Sequence, residues 1–121
     1  MPEISAKLSD EWTPASVERA LKRNNPKTLA VLVINVVLSS EDIEFAQDLC
    51  IRLARHPDEW VRGNAILGFG HLARLDRKLD RKRVRPLILA ARHDPSKIVR
   101  GQTECAMSDT RTFLRWRWPR T

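Results

Sequence analysis

One short phrase occurs twice in the chain, and this internal repeat constrains the fold more than any other feature. The segment ARHPDEWVRG at 54–63 recurs as ARHDPSKIVRG at 91–101. The ARH elements are 37 residues apart and the VRG elements are 38 residues apart. A fixed period of this size is typical of stacked helix pairs, in which each pair buries its apolar face against its neighbours. Because such stacks mainly present a surface, the repeat predicts binding rather than catalysis.

Length, cysteine content and hydropathy narrow the class of protein. At 121 residues the chain is long enough for one small domain with a modest core. Cys50 and Cys105 are too few for a disulfide framework, and no charged-then-apolar leader opens the sequence, so we expect a reduced, cytoplasmic protein. The apolar run 29–38 has ten residues, whereas a membrane span needs about 20, so this run predicts a buried helix and no membrane partner.

The net charge of +7 is unevenly distributed along the chain. Residues 1–50 carry 5 basic and 8 acidic side chains, whereas residues 51–121 carry 17 basic and 7 acidic ones. This asymmetry indicates an acidic partner, nucleic acid or self-association. The alternative is that arginine-rich repeats simply have solvated faces, and composition does not decide between these interpretations.

Proline and capping residues predict where the helices begin. Thr13-Pro14 has the form of an N-cap followed by proline, and Ser39 and Asp42 have the spacing of a capping box. Three further X-Pro dipeptides are each expected to start the second helix of a pair: Asn25-Pro26, His56-Pro57 and Asp94-Pro95.

Between these predicted starts, apolar residues recur at helical spacing, which predicts six helices in three antiparallel pairs. Residues 114–118 alternate and are interpreted as a non-helical tail in which Trp116 and Trp118 cover the last repeat. Gly68 and Gly70 lie inside a predicted helix, where each costs about 1 kcal/mol relative to alanine, so close approach of a neighbouring helix is the expected reason.

Two units of the chain resemble HEAT repeats and their PBS-lyase-type relatives, whose turn and second helix have the approximate pattern D-P-x-x-x-V-R-x-x-A-x-x-A-L-G. At the positions of this pattern the second unit supplies Pro57, Val61, Arg62, Ala65, Gly68, Phe69 and Gly70, and the third supplies Asp94, Pro95, Val99, Arg100, Thr103, Ala106, Met107 and Ser108. The resemblance covers roughly residues 41–115. It implies an all-α fold, a short α-solenoid of about three HEAT-like helix pairs in a right-handed stack. The implied organisation is one domain with a degenerate unit at 13–39, units at 40–75 and 80–115, and a C-terminal cap at 116–121.

The resemblance also implies roles for particular residues. Arg62 and Arg100 match the ladder arginine, which bonds across to the next turn, and Asp94 matches the turn aspartate. His56 replaces that aspartate in the second unit, so the ladder there requires Asp58 to substitute. HEAT-like proteins are mostly protein-binding scaffolds, with some nucleic-acid binders and a few enzymes among them, so function is carried over only by analogy.

No motif in the chain supports catalysis, a cofactor or a metal site. His56 and His93 occupy equivalent repeat positions, roughly 10 Å apart at ordinary helix spacing, which favours a turn or capping role over shared ligation. Cys105 has no histidine near it in sequence, and the phosphate-loop, dinucleotide and zinc-protease motifs are missing. We therefore expect a protein that is not an enzyme.

Two groups of residues are candidate contacts for a partner. The first is a basic segment, whose positive charges sit where the next helix begins and oppose the helix dipole. It suits an acidic protein or phosphates, although base-stacking aromatic residues are scarce, and a solvated loop is the plain alternative. Its members are Arg74, Arg77, Lys78, Arg81, Lys82, Arg83 and Arg85.

The second group is an apolar pair, Trp60 and Ile98, just before the Val-Arg step of each repeat. The plain interpretation is packing between turns, and the alternative is a contact edge with Trp60 as anchor, joined by Arg62 and Arg100. The sequence as a whole predicts a non-catalytic protein-binding module, a stand-alone adaptor or blocker, one version being an immunity-type protein that neutralises a toxin. The alternatives are a nucleic-acid binder that uses the basic half and a structural subunit that associates through 29–38.

Overall fold

Six α-helices and no strands make up the part of the chain described by the computed structural model, residues 12–120. This confirms the predicted number of helices and the all-α class. The helices are α1 (Pro14–Arg23), α2 (Pro26–Ser39), α3 (Ile43–Leu53), α4 (Glu59–Asp76), α5 (Arg81–Ala91) and α6 (Lys97–Leu114).

The predicted helix starts are confirmed for α1 and α2. Thr13 caps α1 in a capping box with Ser16, and the side chain of Asn25 accepts a bond from the backbone N–H of Thr28 at the start of α2. The capping box predicted at Ser39 is wrong, because Ser39 ends α2 and its hydroxyl donates to the carbonyl of Asn35 at 2.6 Å. Asp42 is instead the N-cap of α3.

Helices α4 and α6 begin two residues later than their X-Pro dipeptides predict. Asp58 caps α4 and Ser96 caps α6, so Pro57 and Pro95 lie in the preceding turns. A good capping side chain directly follows each dipeptide, and it accepts bonds from the free N–H groups of the first helical turn.

The helices form two layers. In the inner layer α4 packs against α2 on one side and α6 on the other, and α4–α6 is the most extensive contact. The amide of Asn64 on α4 donates to the carbonyl of Ala30 on α2 at 2.9 Å, and the amide of Gln102 on α6 donates to Asn64 Oδ1 at 2.8 Å. These bonds join equivalent early turns, so the three inner helices run side by side in the same direction.

The outer layer contains α1, α3 and α5, each in contact with the inner helix that follows it. Ion pairs link the neighbouring outer helices, Glu18–Arg52 between α1 and α3 and Asp48–Arg83 between α3 and α5, both at 3.0 Å. The paired side chains are about half exposed, so these links contribute little to stability, about 1 kcal/mol or less each. The apolar interior between the layers, centred on fully buried Phe69, holds the fold together.

Close helix contacts explain two glycines of α4. A Cβ on Gly68 would lie 2.7 Å from the sulfur of Cys50 on α3, and one on Gly70 would lie 3.0 Å from the Cα of Ala106 on α6. The prediction that these glycines permit close approach is confirmed.

Helix α2 is not covered on all sides. Leu29, Val33, Val36 and Val37 are buried, whereas Val31 and Leu38 are exposed. The C-terminal tail packs against α6 instead, as expected for a cap on the last repeat. Trp116 is buried in the core, and Trp118 Nε1 donates to Thr110 Oγ1 at 3.1 Å. None of the described helices is long and apolar enough to cross a membrane.

Candidate functional site

The best-defined surface feature is the edge formed by two turns and the helix starts that follow them. We call it the turn edge; it comprises residues 54–62 and 92–100. Arg62 joins its two halves, because Nε and Nη2 donate to the two carboxylate oxygens of Asp94 at 2.7 and 2.9 Å. Arg62 Nη1 donates to the carbonyls of His56 and Pro57, each at 3.0 Å. One guanidinium therefore holds both turns in a single arrangement.

The hydrogen bonds within this pair outweigh its burial in setting the pKa of each group. The side chains of Arg62 and Asp94 are only 17% and 12% exposed. The hydrogen bonds from Arg62 are the main cause that lowers the pKa of Asp94, and the same bonds raise the pKa of Arg62. A bidentate charged pair with this geometry is stronger than an exposed ion pair. The expected ladder bond from Arg62 to the next turn is thus present.

His56 and Asp94 perform the same task in their respective turns. Asp94 Oδ1 accepts a bond from the N–H of Ser96 at 2.9 Å, and His56 Nδ1 accepts one from the N–H of Asp58 at 3.0 Å. Because Nδ1 of His56 is an acceptor, its proton is on Nε2, which donates to Asn24 Oδ1 at 2.6 Å. The expected turn role of His56 is confirmed, while Asp58 does not substitute in the ladder, because its carboxylate caps α4.

A further bond and two grooves complete the turn edge. Ser96 Oγ donates to Glu59 Oε1 at 2.6 Å, which holds the starts of α4 and α6 together. Arg62 forms part of the wall of both grooves. One, of about 480 Å³, is lined on its apolar side by Ala54, Pro57, Leu87 and Ala91. The other, of about 470 Å³, is lined by Asp58, Glu59, Pro95 and Ser96.

The predicted anchor residues lie on this edge with different exposure. Trp60, the second residue of α4, is 53% exposed, and Ile98, the second residue of α6, is half-buried. Arg100 is also half-buried, and its Nη1 donates to the backbone carbonyl of Asp94 at 2.7 Å. The structure therefore places four of the predicted residues, Trp60, Arg62, Ile98 and Arg100, on one edge.

The seven residues of the basic segment do not form one exposed patch, because several of them bind other groups of the chain. Arg85 lies over the ring of Trp118 and donates to the carbonyl of Arg117 at 2.9 Å, so it holds the tail. Arg77 lies over the ring of Phe113, and Arg83 pairs with Asp48. Arg74 donates to His71 Nδ1 at 2.9 Å. Within residues 12–120, only Lys78, Arg81 and Lys82 of the segment are exposed without a side-chain partner.

The remaining candidate residues are the two cysteines and His93. Cys50 is fully buried, and this burial raises the pKa of its thiol. Cys105 is exposed. His93 is exposed in the turn after α5, where its backbone N–H donates to the carbonyl of Ala90. No three His, Cys, Asp or Glu side chains of the described region lie together as metal ligands would.

The sequence-based prediction missed Glu59 and Ser96 as part of the edge. A signal was present, because Asp58 and Ser96 are both capping residues, 38 residues apart, like Arg62 and Arg100. Equivalence of the caps places the two helix starts next to each other, and Glu59 then falls within reach of Ser96. Comparison of the chain with protein-family models, curated proteins and solved structures gives no match.

Proposed function

We propose that the chain is a non-catalytic protein-binding module that engages its partner through the turn edge. Its architecture in this proposal is a short right-handed α-solenoid of three HEAT-like helix pairs. Support comes from the position of α4 between α2 and α6, and from the equivalent bonds that His56 and Asp94 make one repeat apart.

The observation that carries the proposal is the exposure of Trp60 on a rigid frame. Leaving half of an indole in water forgoes burial of apolar surface, and tryptophan is among the residues that contribute most at protein interfaces. The Arg62–Asp94 pair and the Glu59–Ser96 bond hold the surface around it, so binding orders little additional structure. In this proposal the chain acts as a stand-alone adaptor or blocker, one version being an immunity-type protein that neutralises a toxin.

The alternative is nucleic-acid binding by the basic half, and the exposed side chains of Lys78, Arg81 and Lys82 favour it. Against it, several cations of the basic segment are engaged within the chain, and no exposed tyrosine or phenylalanine accompanies the remaining three in the described residues.

The test is affinity capture from a lysate of the native cells at about 150 mM salt, with and without nuclease. Tagged wild type is compared with Trp60→Ala and with Leu75→Ala, because Leu75 is a matched control on the same helix that is 48% exposed but lies far from the turn edge. We expect a stoichiometric protein that survives nuclease with wild type and Leu75→Ala. With Trp60→Ala the binding free energy should become less favourable by about 2 kcal/mol or more.

Two results would contradict the proposal. Equal capture of the same protein by Trp60→Ala and wild type would remove the turn edge from the interface. A signal lost with nuclease, with binding that weakens steeply between about 50 and 200 mM salt, would instead identify the basic half as a nucleic-acid surface. Unchanged thermal melting of both variants is the check that neither substitution unfolds the protein.

A further inference from the structure

Arg62 and Arg100 are equivalent residues whose guanidinium groups make different sets of bonds. Each is the fourth residue of its helix, and each donates through Nη1 to the backbone carbonyl of the residue six positions earlier, His56 for Arg62 and Asp94 for Arg100. In Arg62 the opposite edge of the guanidinium, formed by Nε and Nη2, holds the carboxylate of Asp94. In Arg100 the same edge has no acceptor among residues 12–120.

This open edge is already oriented. The bond from Nη1 to the Asp94 carbonyl fixes the guanidinium, and Asp94 is itself held by Arg62. A bidentate carboxylate could bind there without first ordering a long, flexible side chain, which is the usual entropic cost of an arginine contact. Glu104, four residues further along α6, is exposed and makes neither an ion pair nor a hydrogen bond with Arg100.

We propose that the Nε–Nη2 edge of Arg100 is a subsite for an aspartate or glutamate side chain of an acidic protein partner. The chain itself supplies the precedent, because the same two donors in the same setting bind the Asp94 carboxylate. That the occupant belongs to a protein rests on the proposed protein-binding function.

Head-to-tail stacking of a second copy does not bring a carboxylate of the corresponding turn to this edge. The corresponding turn of the first helix pair carries Asn24 and Asn25, which have no carboxylate. Both amide oxygens are also in use, that of Asn24 by His56 and that of Asn25 by the N–H of Thr28. Head-to-tail stacking of copies therefore leaves the edge unoccupied, and the occupant that we propose is a different, acidic protein. The net charge of +10 over residues 51–121 attracts an acidic surface to this half of the chain.

The experiment needs no identified partner. The Nε–Hε signals of [¹⁵N]arginine-labelled full-length protein are followed by NMR during titration with an aspartate residue blocked at both ends, which presents one side-chain carboxylate. Dimethyl phosphate, which has the same charge and mimics a nucleic-acid backbone, is titrated in parallel. Sodium chloride replaces each probe so that the ionic strength stays constant. Arg100→Lys identifies the Arg100 signal, because that signal is missing from the variant. The variant is also the binding control, because lysine lacks the planar donor edge.

We expect a saturable shift of Arg100 with blocked aspartate, with a Kd about tenfold lower than that of exposed Arg81. Arg62, whose edge is filled, should not respond. In uniformly ¹⁵N-labelled protein, the backbone amides of residues 94 and 96–101 should show the same saturation in wild type and lose it in Arg100→Lys.

Three results would overturn the inference. The first is an Arg100 shift no larger than that of Arg81. The second is tighter binding of dimethyl phosphate than of blocked aspartate. The third is an Arg100 signal that responds only after Glu104→Gln, which would mean that Glu104 occupies the edge from within. Each can occur while capture through Trp60 succeeds, so failure of the subsite is distinguishable from failure of the proposed function.

Discussion

At the scale of single residues, burial and a neighbouring cation together set the pKa of His71. His71 lies half-buried on α4, and Arg74 Nη2 donates to its Nδ1 from one helical turn further on. Burial is the main cause that lowers the pKa of His71, and the charge of Arg74 lowers it further, whereas Asp109 on α6 acts in the opposite direction. The neutral imidazole is the form that can accept the bond from Arg74.

We therefore expect Arg74→Gln to raise the pKa of His71 and Asp109→Asn to lower it, both measured by NMR titration of the imidazole. Because the folded pKa lies below the unfolded value of about 6.5, the contribution of His71 to stability is present above that pH and is lost as the pH falls below it. Arg74→Gln should thus make the loss of stability between about pH 7 and 5 shallower. A lower pKa of His71 in Arg74→Gln would contradict this account.

At the scale of helices, two glycines allow the effect of helix propensity on stability to be distinguished from the effect of packing between helices. Gly68 and Gly101 both lie inside helices, where alanine is favoured by about 1 kcal/mol. A Cβ at Gly68 would meet the buried sulfur of Cys50 at 2.7 Å, whereas a Cβ at Gly101 would meet nothing within 4 Å.

We expect Gly68→Ala to destabilise the protein by about 1–3 kcal/mol and Gly101→Ala to stabilise it by about 0.5–1 kcal/mol, both measured by urea unfolding. The double variant Gly68→Ala with Cys50→Ala should recover part of the loss, because it removes the atom that the new methyl group meets. Equal effects of the two alanines would mean that α3 and α4 do not pack as closely as described.

At the scale of the whole molecule, the Arg62–Asp94 pair connects the second helix pair to the third. Its bonds join a turn before α4 to a turn before α6, so its loss affects how the two pairs hold together. Glu18–Arg52 also joins successive helix pairs, but its side chains are 56% and 55% exposed.

We expect Asp94→Asn to lower the free energy of unfolding by about 1.5–3 kcal/mol near pH 7, and Glu18→Gln to lower it by less than about 1 kcal/mol. Since the folded pKa of Asp94 is depressed, its contribution is present above the ordinary value of about 3.9 and is lost as the pH falls through the folded value. Urea unfolding of Asp94→Asn and wild type should therefore differ near pH 7 and converge in acid. A constant difference down to about pH 2 would show that the carboxylate charge is not the cause.

The six helices, the glycine contacts and the starts of α1 and α2 followed from the sequence alone. Apolar spacing, proline and capping side chains act over a few residues, so they are visible in the order of the amino acids. The starts of α4 and α6 were displaced by two residues, because Asp58 and Ser96 compete locally for the same role.

The sequence determined that arginines would be plentiful in the second half of the chain, and the tertiary structure decided what each of them does. A guanidinium binds whichever carboxylate, carbonyl or ring the fold brings to it. Asp94 is 32 residues from Arg62, and Arg117 is 32 residues from Arg85. Periodicity places such residues on a face, but only packing fixes the distance of about 3 Å at which a donor and acceptor bind. For this reason Arg85 holds the tail and Arg62 holds two turns, while the Nε–Nη2 edge of Arg100 meets no acceptor within residues 12–120.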